Sequence, residues 1–451
     1  MENDQFFHSV YLDRDKCLGC TTCLRNCPTG AIRVREGKAK IIQTKCIDCG
    51  ECIRICPHNA KSARTDDLKI IRNYSYKVAI VAPTLIGQFE LRYSIERILA
   101  AVKSLGFDEV VEVAYGAEIV GRSLAKEFDR KDQLLPIISS ACPAVSKLIQ
   151  IRFPELTGNI VNLKSPMGVT ARLVRQRLEK EKGLKMDDIG VFFITPCAAK
   201  ATEVKNPENW DDAYDVINGA ISIKDIYGML RSNMRKVEEE DIHTSSAKGF
   251  GWALSGGESR FVQNKRLIHV DGISNVIRIL DEIENGNLED IAFFEGLACI
   301  GGCVGGCLAV QNGFVARMII EERAKKDAHQ NLDGLIEEAE LQKLIKTGNL
   351  HRKRPLQPRV FKPLDEDFQK SLDKMQQIEI LESRLPGLDC GSCGAPGCRA
   401  LAEDIVTGYA REIDCVFVLK DRVLELSKLT SEMLQMGHPM DSQHDAGKKK
   451  E

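Results

Sequence analysis

From Tyr76 onward the chain alternates short apolar runs with longer amphipathic stretches. KVAIVAPT from Lys77, IGVFFITPC from Ile189 and IAFFEGLAC from Ile291 are almost continuously apolar, as expected of strands buried on both faces of a parallel sheet. Between them, SIERILAAVKSLG and GVTARLVRQRLEKEKG carry apolar residues at helical spacing. The alternation predicts an α/β core of parallel sheets with flanking helices over residues 76–350. Ligands in such folds sit beyond the carboxyl ends of the strands, where Cys197 and Cys299 fall. Residues 1–75 precede this core as a cysteine-rich domain. Residues 351–375, opening with the basic, proline-containing HRKRPLQPRVFKPL, read as a linker. Residues 376–425 read as a second, small helical cysteine module, and 426–451 as a polar, disordered tail.

Composition narrows the class of function. A net charge of −2 gives no support for nucleic-acid or membrane-surface binding. No apolar run reaches the ~18 residues of a membrane span. MENDQFFHSVYLDRDK lacks the basic-then-apolar form of a signal peptide, so a cytoplasmic location is expected. Seventeen cysteines in such a chain, grouped in short clusters, point to metal rather than disulfides.

Cys17-x2-Cys20-x2-Cys23-x3-Cys27-Pro28 is followed by a second run, Cys46-x2-Cys49-x2-Cys52-x3-Cys56-Pro57. This is the two-cluster bacterial ferredoxin pattern, in which the fourth cysteine of each run ligates the other cluster. One [4Fe-4S] cluster is then expected on Cys17, Cys20, Cys23 and Cys56, the other on Cys46, Cys49, Cys52 and Cys27. CxxC spacing alone also permits zinc, which two tandem runs of this form disfavour. Cys390-x2-Cys393-x4-Cys398-x16-Cys415 forms a further four-cysteine set, with RALAEDIVTGYAREID as the helix leading to the fourth ligand. It resembles the small [4Fe-4S] domain of electron-transfer complexes and corrinoid iron–sulfur proteins, and zinc stays open there too.

Five cysteines remain, in SSACPAV (Cys142), TPCAAKATE (Cys197) and EGLACIGGCVGGC (Cys299, Cys303, Cys307). Singly, each reads as a small buried hydrophobe. Together the three segments are similar, in order and spacing, to the signature motifs TSCCP, MPCxxKxxE and ExMACxxGCxxGGG of the [FeFe]-hydrogenases. The resemblance covers roughly residues 76–320 and implies the following. Cys142, Cys197, Cys299 and Cys303 carry the [4Fe-4S] part of an H-cluster, and Cys303 also bridges to a diiron subcluster with CO, cyanide and dithiolate ligands. Lys200 hydrogen-bonds a cyanide, with Glu203 fixing its charge. Pro83 and Thr84 surround the other cyanide, and Ser140 and Pro196 line the cofactor site.

The departures matter as much. Ala141 stands where the family has a proton-relaying cysteine, and methyl cannot carry a proton. Leu124 replaces one relay carboxylate while Glu127 matches the other, and the relay serine falls near Val161. Thr195 and Leu297 replace two methionines, and Cys307 replaces a glycine of GGG. Slow turnover is expected, with Cys307 or Glu127 as a substitute proton donor. This pattern resembles the sensory or regulatory branches, particularly group D. The implied substrates are H2 and protons. The implied partners are a redox protein such as a ferredoxin or a signalling protein, and maturation proteins that install the diiron unit. The alternative is a non-catalytic assembly or electron-transfer protein holding cubanes alone.

Overall fold

The computed structural model describes residues 6–130, 133–206, 210–262, 265–327, 338–347, 349–359 and 364–435. It divides into two compact units: Met1–Lys16 with Ile41–Val360, and Cys17–Lys40 with Phe361–Glu451. The expected N-terminal domain of residues 1–75 is therefore split, and its first cysteine run belongs with the C-terminal stretch.

The first unit is built on parallel sheets, as the apolar runs require. Strands β5 (Tyr76–Val81), β6 (Glu109–Glu112), β8 (Ile189–Thr195) and β9 (Gly219–Ser222) lie in the order β6-β5-β8-β9, with Val78 opposite Val191. Every residue of β8 is buried, so apolar side chains serve both faces. A second parallel sheet has the order β10-β11-β7, from Leu267–Asp271, Phe293–Leu297 and Ile137–Ile138. A small antiparallel pair joins β1 (Val10–Leu12) to β4 (Lys61–Ala63).

Helices cover these sheets where the periodicity placed them. Ile95–Lys103 is capped by Ser94 Oγ, which accepts from Arg97 N, and buries Ile95, Ile98, Leu99 and Val102. Pro166–Lys182 is capped by Ser165 and stops at Gly183, whose φ of 63° is open to glycine. The strands β5, β7, β8 and β11 all end in loops that carry candidate site residues.

Two segments differ from expectation. The linker packs on the first unit: Arg352 N donates to Asn162 O at 3.1 Å, and Arg359 N donates to Gln150 O at 2.9 Å. Lys353 donates its backbone N–H to Asp211 and its ammonium faces Asp212 at 3.6 Å, while its side chain stays exposed. The first residues of the expected tail, 426–435, continue the helix Val416–Gln435, and residues 436–451 lie outside the described residues.

The second unit holds β2 (Ile32–Arg35) and β3 (Lys38–Ile41), joined through Glu36 and Gly37, both in the left-handed region. Helices Phe368–Arg384 and Cys398–Val406 pack around Ile378, Leu385, Ala395, Leu401 and Cys415.

In the first unit, buried His243 joins two acidic groups: Nδ1 lies 2.7 Å from Glu112 Oε2, and Nε2 lies 2.9 Å from Asp327 Oδ2. Burial disfavours the imidazolium, but the hydrogen bonds to Asp327 and Glu112 outweigh it and push the pKa up to about 10. The folded value is raised, so the stabilisation is complete below the ordinary value of about 6.5 and is lost as pH rises through 10. The expected result is that His243→Gln costs a few kcal/mol near neutrality, on the order set by a shift of this size. In urea titrations the gap between variant and wild type should narrow steadily from pH 6.5 to 10. A gap independent of pH would refute the charged-imidazole assignment.

Candidate metal centre

Three loops bring four thiols together in the first unit. Cys142 follows β7 and stands at the N-terminus of helix Pro143–Arg152. Cys197 follows β8 and stands at the start of helix Ala198–Lys205, its N–H bonded to Thr195 Oγ1 at 3.1 Å. Cys299 and Cys303 lie on the loop after β11, which turns sharply at Gly301 (φ 81°) and Gly302 (φ 98°). A Cβ at Gly302 would lie 2.6 Å from Ala253 O, so only glycine lets the chain pass there.

The four sulfurs sense one another. Burial pushes the Cys303 and Cys299 thiols up to about 12, and in both the charge of Cys142 adds to the rise. Cys197 is raised well above the ordinary value by burial and then by Cys299 and Cys142. Half-buried thiols so close that one charge raises the next pKa, as for Cys197, Cys299 and Cys303, form a site for something cationic, since each thiolate is costly until a metal shares its charge. All seventeen cysteines are free.

The surroundings suit an anionic cluster. Lys200 Nζ is 2.9 Å from Glu203 Oε2, and its charge draws the Cys303 pKa down against burial. Burial pushes the Glu203 carboxyl up, yet the Lys200 ammonium outweighs it and holds the group below its ordinary value. Thr84 is fully buried, beside Pro83 in the turn after β5, and its Oγ1 has no hydrogen-bond partner. An orphaned buried hydroxyl is expected where a bound group supplies the missing partner. Ser140 Oγ is already bonded to Leu163 O at 3.0 Å, and Pro196 O accepts from Leu308 N at 2.9 Å, so both shape the loops.

Of the two substitute proton donors, Cys307 stands among the core cysteines, where its charge adds to the rise of Cys197 and Cys299. The Cys307 sulfur lies against the second ferredoxin-type run, where a Cβ at Gly50 would come within 2.5 Å of it. Glu127 is bonded to His351 at 2.8 Å and to Arg130 at 3.5 Å.

A pair of carboxyls also lies beside the cysteine loops. Glu258 is buried, and burial followed by the charge of Glu295 pushes its pKa up to about 8. Glu295, four residues before Cys299, is raised by burial against hydrogen bonds from Ser259 and Gly256. Its charge raises Cys303. Ser139 Oγ donates to Glu258 and accepts from Ala141 N at 3.2 Å. A protonated carboxyl is thus linked through one hydroxyl to the loop of Ala141 and Cys142. Nothing in SGGES, a glycine-rich stretch around Glu258, distinguishes that residue in the sequence; only Glu295 lies inside a motif.

Arg54, between Cys52 and Cys56, likewise carries no signal in the sequence. Its Nη1 donates to Cys299 Sγ at 3.4 Å and its Nη2 bonds Glu51 at 2.7 Å. Burial works against its charge, but Cys299 and Glu51 outweigh it and raise the pKa. Cys49 packs with Cys142 and Cys197 around Ile47 and Ala144. The second run therefore adjoins the core cysteines.

Both ferredoxin-type runs repeat one detail. Ala31 N donates to Cys27 Sγ at 3.2 Å, and Ala60 N donates to Cys56 Sγ at 3.3 Å. Backbone N–H groups aimed at sulfur stabilise thiolate charge, as a cluster ligand needs. In the second unit, Cys390, Cys393, Cys398 and Cys415 line one cavity.

Comparison with known proteins agrees with this layout. Residues 75–266 and 258–307 match the family model "Iron only hydrogenase large subunit, C-terminal domain". Residues 9–57 match a 4Fe-4S dicluster domain, and 385–417 match a model for an Fe-S cluster. Iron hydrogenase 1 of Clostridium pasteurianum is 24% identical over 281 residues, covering 51% of this chain and 49% of that protein. The periplasmic [Fe] hydrogenase large subunit of Nitratidesulfovibrio vulgaris is 28% identical over 243 residues, covering 50% and 58%. The chain thus spans about half the length of these relatives. The cytosolic Fe-S cluster assembly factor NAR1 of Saccharomyces cerevisiae is 27% identical over 114 residues, covering 25% of this chain and 22% of that protein. Among solved structures, the [FeFe]-hydrogenase HydA(deltaEFG) aligns with a TM-score of 0.52 at 14% identity, covering 65% of this chain and 98% of the other. That likeness shows the fold. Among the described residues no helix is long and apolar enough to cross a membrane.

Proposed function

Because the chain belongs to the family of iron-only hydrogenase large subunits, matched over more than half its length, we propose that it is an [FeFe]-hydrogenase-type oxidoreductase. It interconverts H2 with protons and electrons slowly, in a sensory or regulatory role of the group D kind. The observation that carries the reading is the convergence of Cys142, Cys197, Cys299 and Cys303 beside the Lys200–Glu203 pair.

These four cysteines would hold the cubane of an H-cluster, with Cys303 shared with the diiron unit. When bound, that cofactor supplies the metal that polarises H2 and accepts its electrons. Lys200 offers a fixed cation to an anionic ligand, and the unpartnered Thr84 hydroxyl offers a further donor. Glu258, Ser139 and Glu295 supply a proton store next to a loop whose usual thiol is Ala141. That route stands beside the expected one through Cys307 or Glu127. Lys200 and Glu203 would position the cluster, and the two ferredoxin-type cysteine runs would hold cubanes whose chemistry is electron transfer. Maturation proteins would install the diiron unit, and a soluble redox or signalling protein would exchange the electrons.

The test is infrared spectroscopy of protein produced with the maturation proteins. Bands of metal-bound CO and cyanide are expected, absent from protein made without them. A second reading, a hydrogenase-like assembly factor with cubanes alone, is favoured by the match to NAR1. A spectrum without those bands, in protein with its full complement of cubane iron, would decide for the second reading.

A further inference from the structure

The second unit joins two cysteine sets that the sequence separates by more than three hundred residues. Residues 32–35 form a strand in which Arg33 and Arg35 point to one face, because side chains alternate along a strand. Both guanidinium groups close on one carboxylate. Arg33 Nε lies 2.7 Å from Asp404 Oδ2, and Arg35 Nη2 lies 2.9 Å from the same oxygen. Asp404 is buried on helix Cys398–Val406, which begins at a cysteine of the C-terminal set. Arg33 is buried as well. Arg35 also donates through Nη1 to the carbonyl of Cys393 at 2.6 Å.

The backbones fit each other too. Val34 N donates to Gly394 O at 2.8 Å, extending the strand edge onto the cysteine loop. Gly394 has a φ of 79°, and a Cβ there would lie 1.9 Å from Val34 O, so no side chain is tolerated. A Cβ on Gly391 would lie 3.1 Å from Leu24, the neighbour of Cys23. The glycines between the C-terminal cysteines thus let that loop seat directly on the first run. A surface carboxylate would gain little from two arginines. A buried one shared by two guanidiniums, with backbone bonds beside it, is a built interface.

From this juxtaposition we propose that the C-terminal four-cysteine module is an electron port whose cubane exchanges electrons directly with the cubane of the first ferredoxin-type run. The transfer moves one electron and no atoms: the reduced cubane on one side returns to its oxidised state as the other gains the electron. No proton or further reactant takes part. Arg33, Arg35 and Asp404 are positioning residues that hold the two ligand loops in contact. The proposal rests on the reading that both sets carry iron–sulfur clusters, and iron and sulfide content tests that reading separately.

The experiment uses the full chain reduced with dithionite and observed by electron paramagnetic resonance. Magnetic interaction between neighbouring reduced cubanes broadens the signal of each. Cys390→Ala with Cys393→Ala, which removes the C-terminal cluster, is expected to sharpen the signal of the first-run cluster. Asp404→Asn and, independently, Gly394→Ala are expected to keep the iron and sulfide content of wild type, lose the broadening, and speed hydrogen exchange at Val34. A first-run signal unchanged by removal of the C-terminal cluster overturns the proposal. So does wild-type broadening in both undocking variants once Val34 exchanges freely. Wild-type iron content after Cys390→Ala with Cys393→Ala would instead count against the cluster reading itself, and with it the port.

Discussion

Replacing Glu258 with glutamine lowers proton-reducing turnover of the matured protein by about 10²- to 10⁴-fold, the usual cost of removing a positioned acid. Glutamine keeps the volume and can still bond Ser139, so the loop of Ala141 stays in place. What it removes is the proton. Burial and the charge of Glu295 hold the Glu258 carboxyl up to about 8, so it is protonated at neutral pH, unlike an ordinary carboxyl. Proton reduction by the wild type should therefore fall as pH rises through about 8, and the variant should lack that limb. Infrared bands must persist in the variant, so that lost turnover is not lost cofactor. Wild-type rates and an unaltered pH profile in Glu258→Gln would exclude this carboxyl from proton delivery.

Lys200→Met destabilises the fold by about 1–3 kcal/mol, because it removes the hydrogen-bonded cation of a largely buried carboxylate. Glu203 has Lys200 as its ammonium partner at 2.9 Å, and that charge, with smaller help from Arg352 and Lys147, holds it ionised against burial. The double variant Lys200→Met with Glu203→Gln should regain most of the loss, since both charges then leave together. The carboxyl pKa is lowered in the folded protein. The pair therefore stabilises above the ordinary value near 4.5, and the effect fades as pH falls through the depressed one. Urea unfolding at pH 7 and pH 4 checks both statements. A single variant as stable as the double variant at pH 7 would mean that Glu203 has other means of staying charged.

The sequence reveals features whose signal is local and hides those that depend on distant partners. Each cysteine run announces itself within a dozen residues, because a cubane needs several thiolates from one turning loop. The strands that aim Cys197 and Cys299 are legible for a similar reason: β8 and β11 are buried throughout and largely apolar. Glu258 is different. It looks like any acidic residue in a glycine-rich loop until Glu295 and Ser139 are found beside it. Asp404 likewise looks like a helix-surface acid, and its two arginines lie at the far end of the chain. For the linker, composition tells of exposure, which Lys353, Arg354, Pro355 and Pro358 show, but not of the backbone bonds that tie Arg352 to Asn162 and Arg359 to Gln150. Cys307 stands out as a thiol in place of glycine, but that its sulfur meets Gly50 is visible only in the fold.

That last contact constrains how the chain can drift over time. With a φ of 75° and the Cys307 sulfur 2.5 Å from where a Cβ would stand, position 50 admits no side chain while a thiol occupies position 307. Trimming residue 307 to glycine would free that space, yet the positive φ would still hold position 50 to glycine. Position 50 is thus locked twice, by its backbone and by its neighbour, whereas position 307 can change on its own.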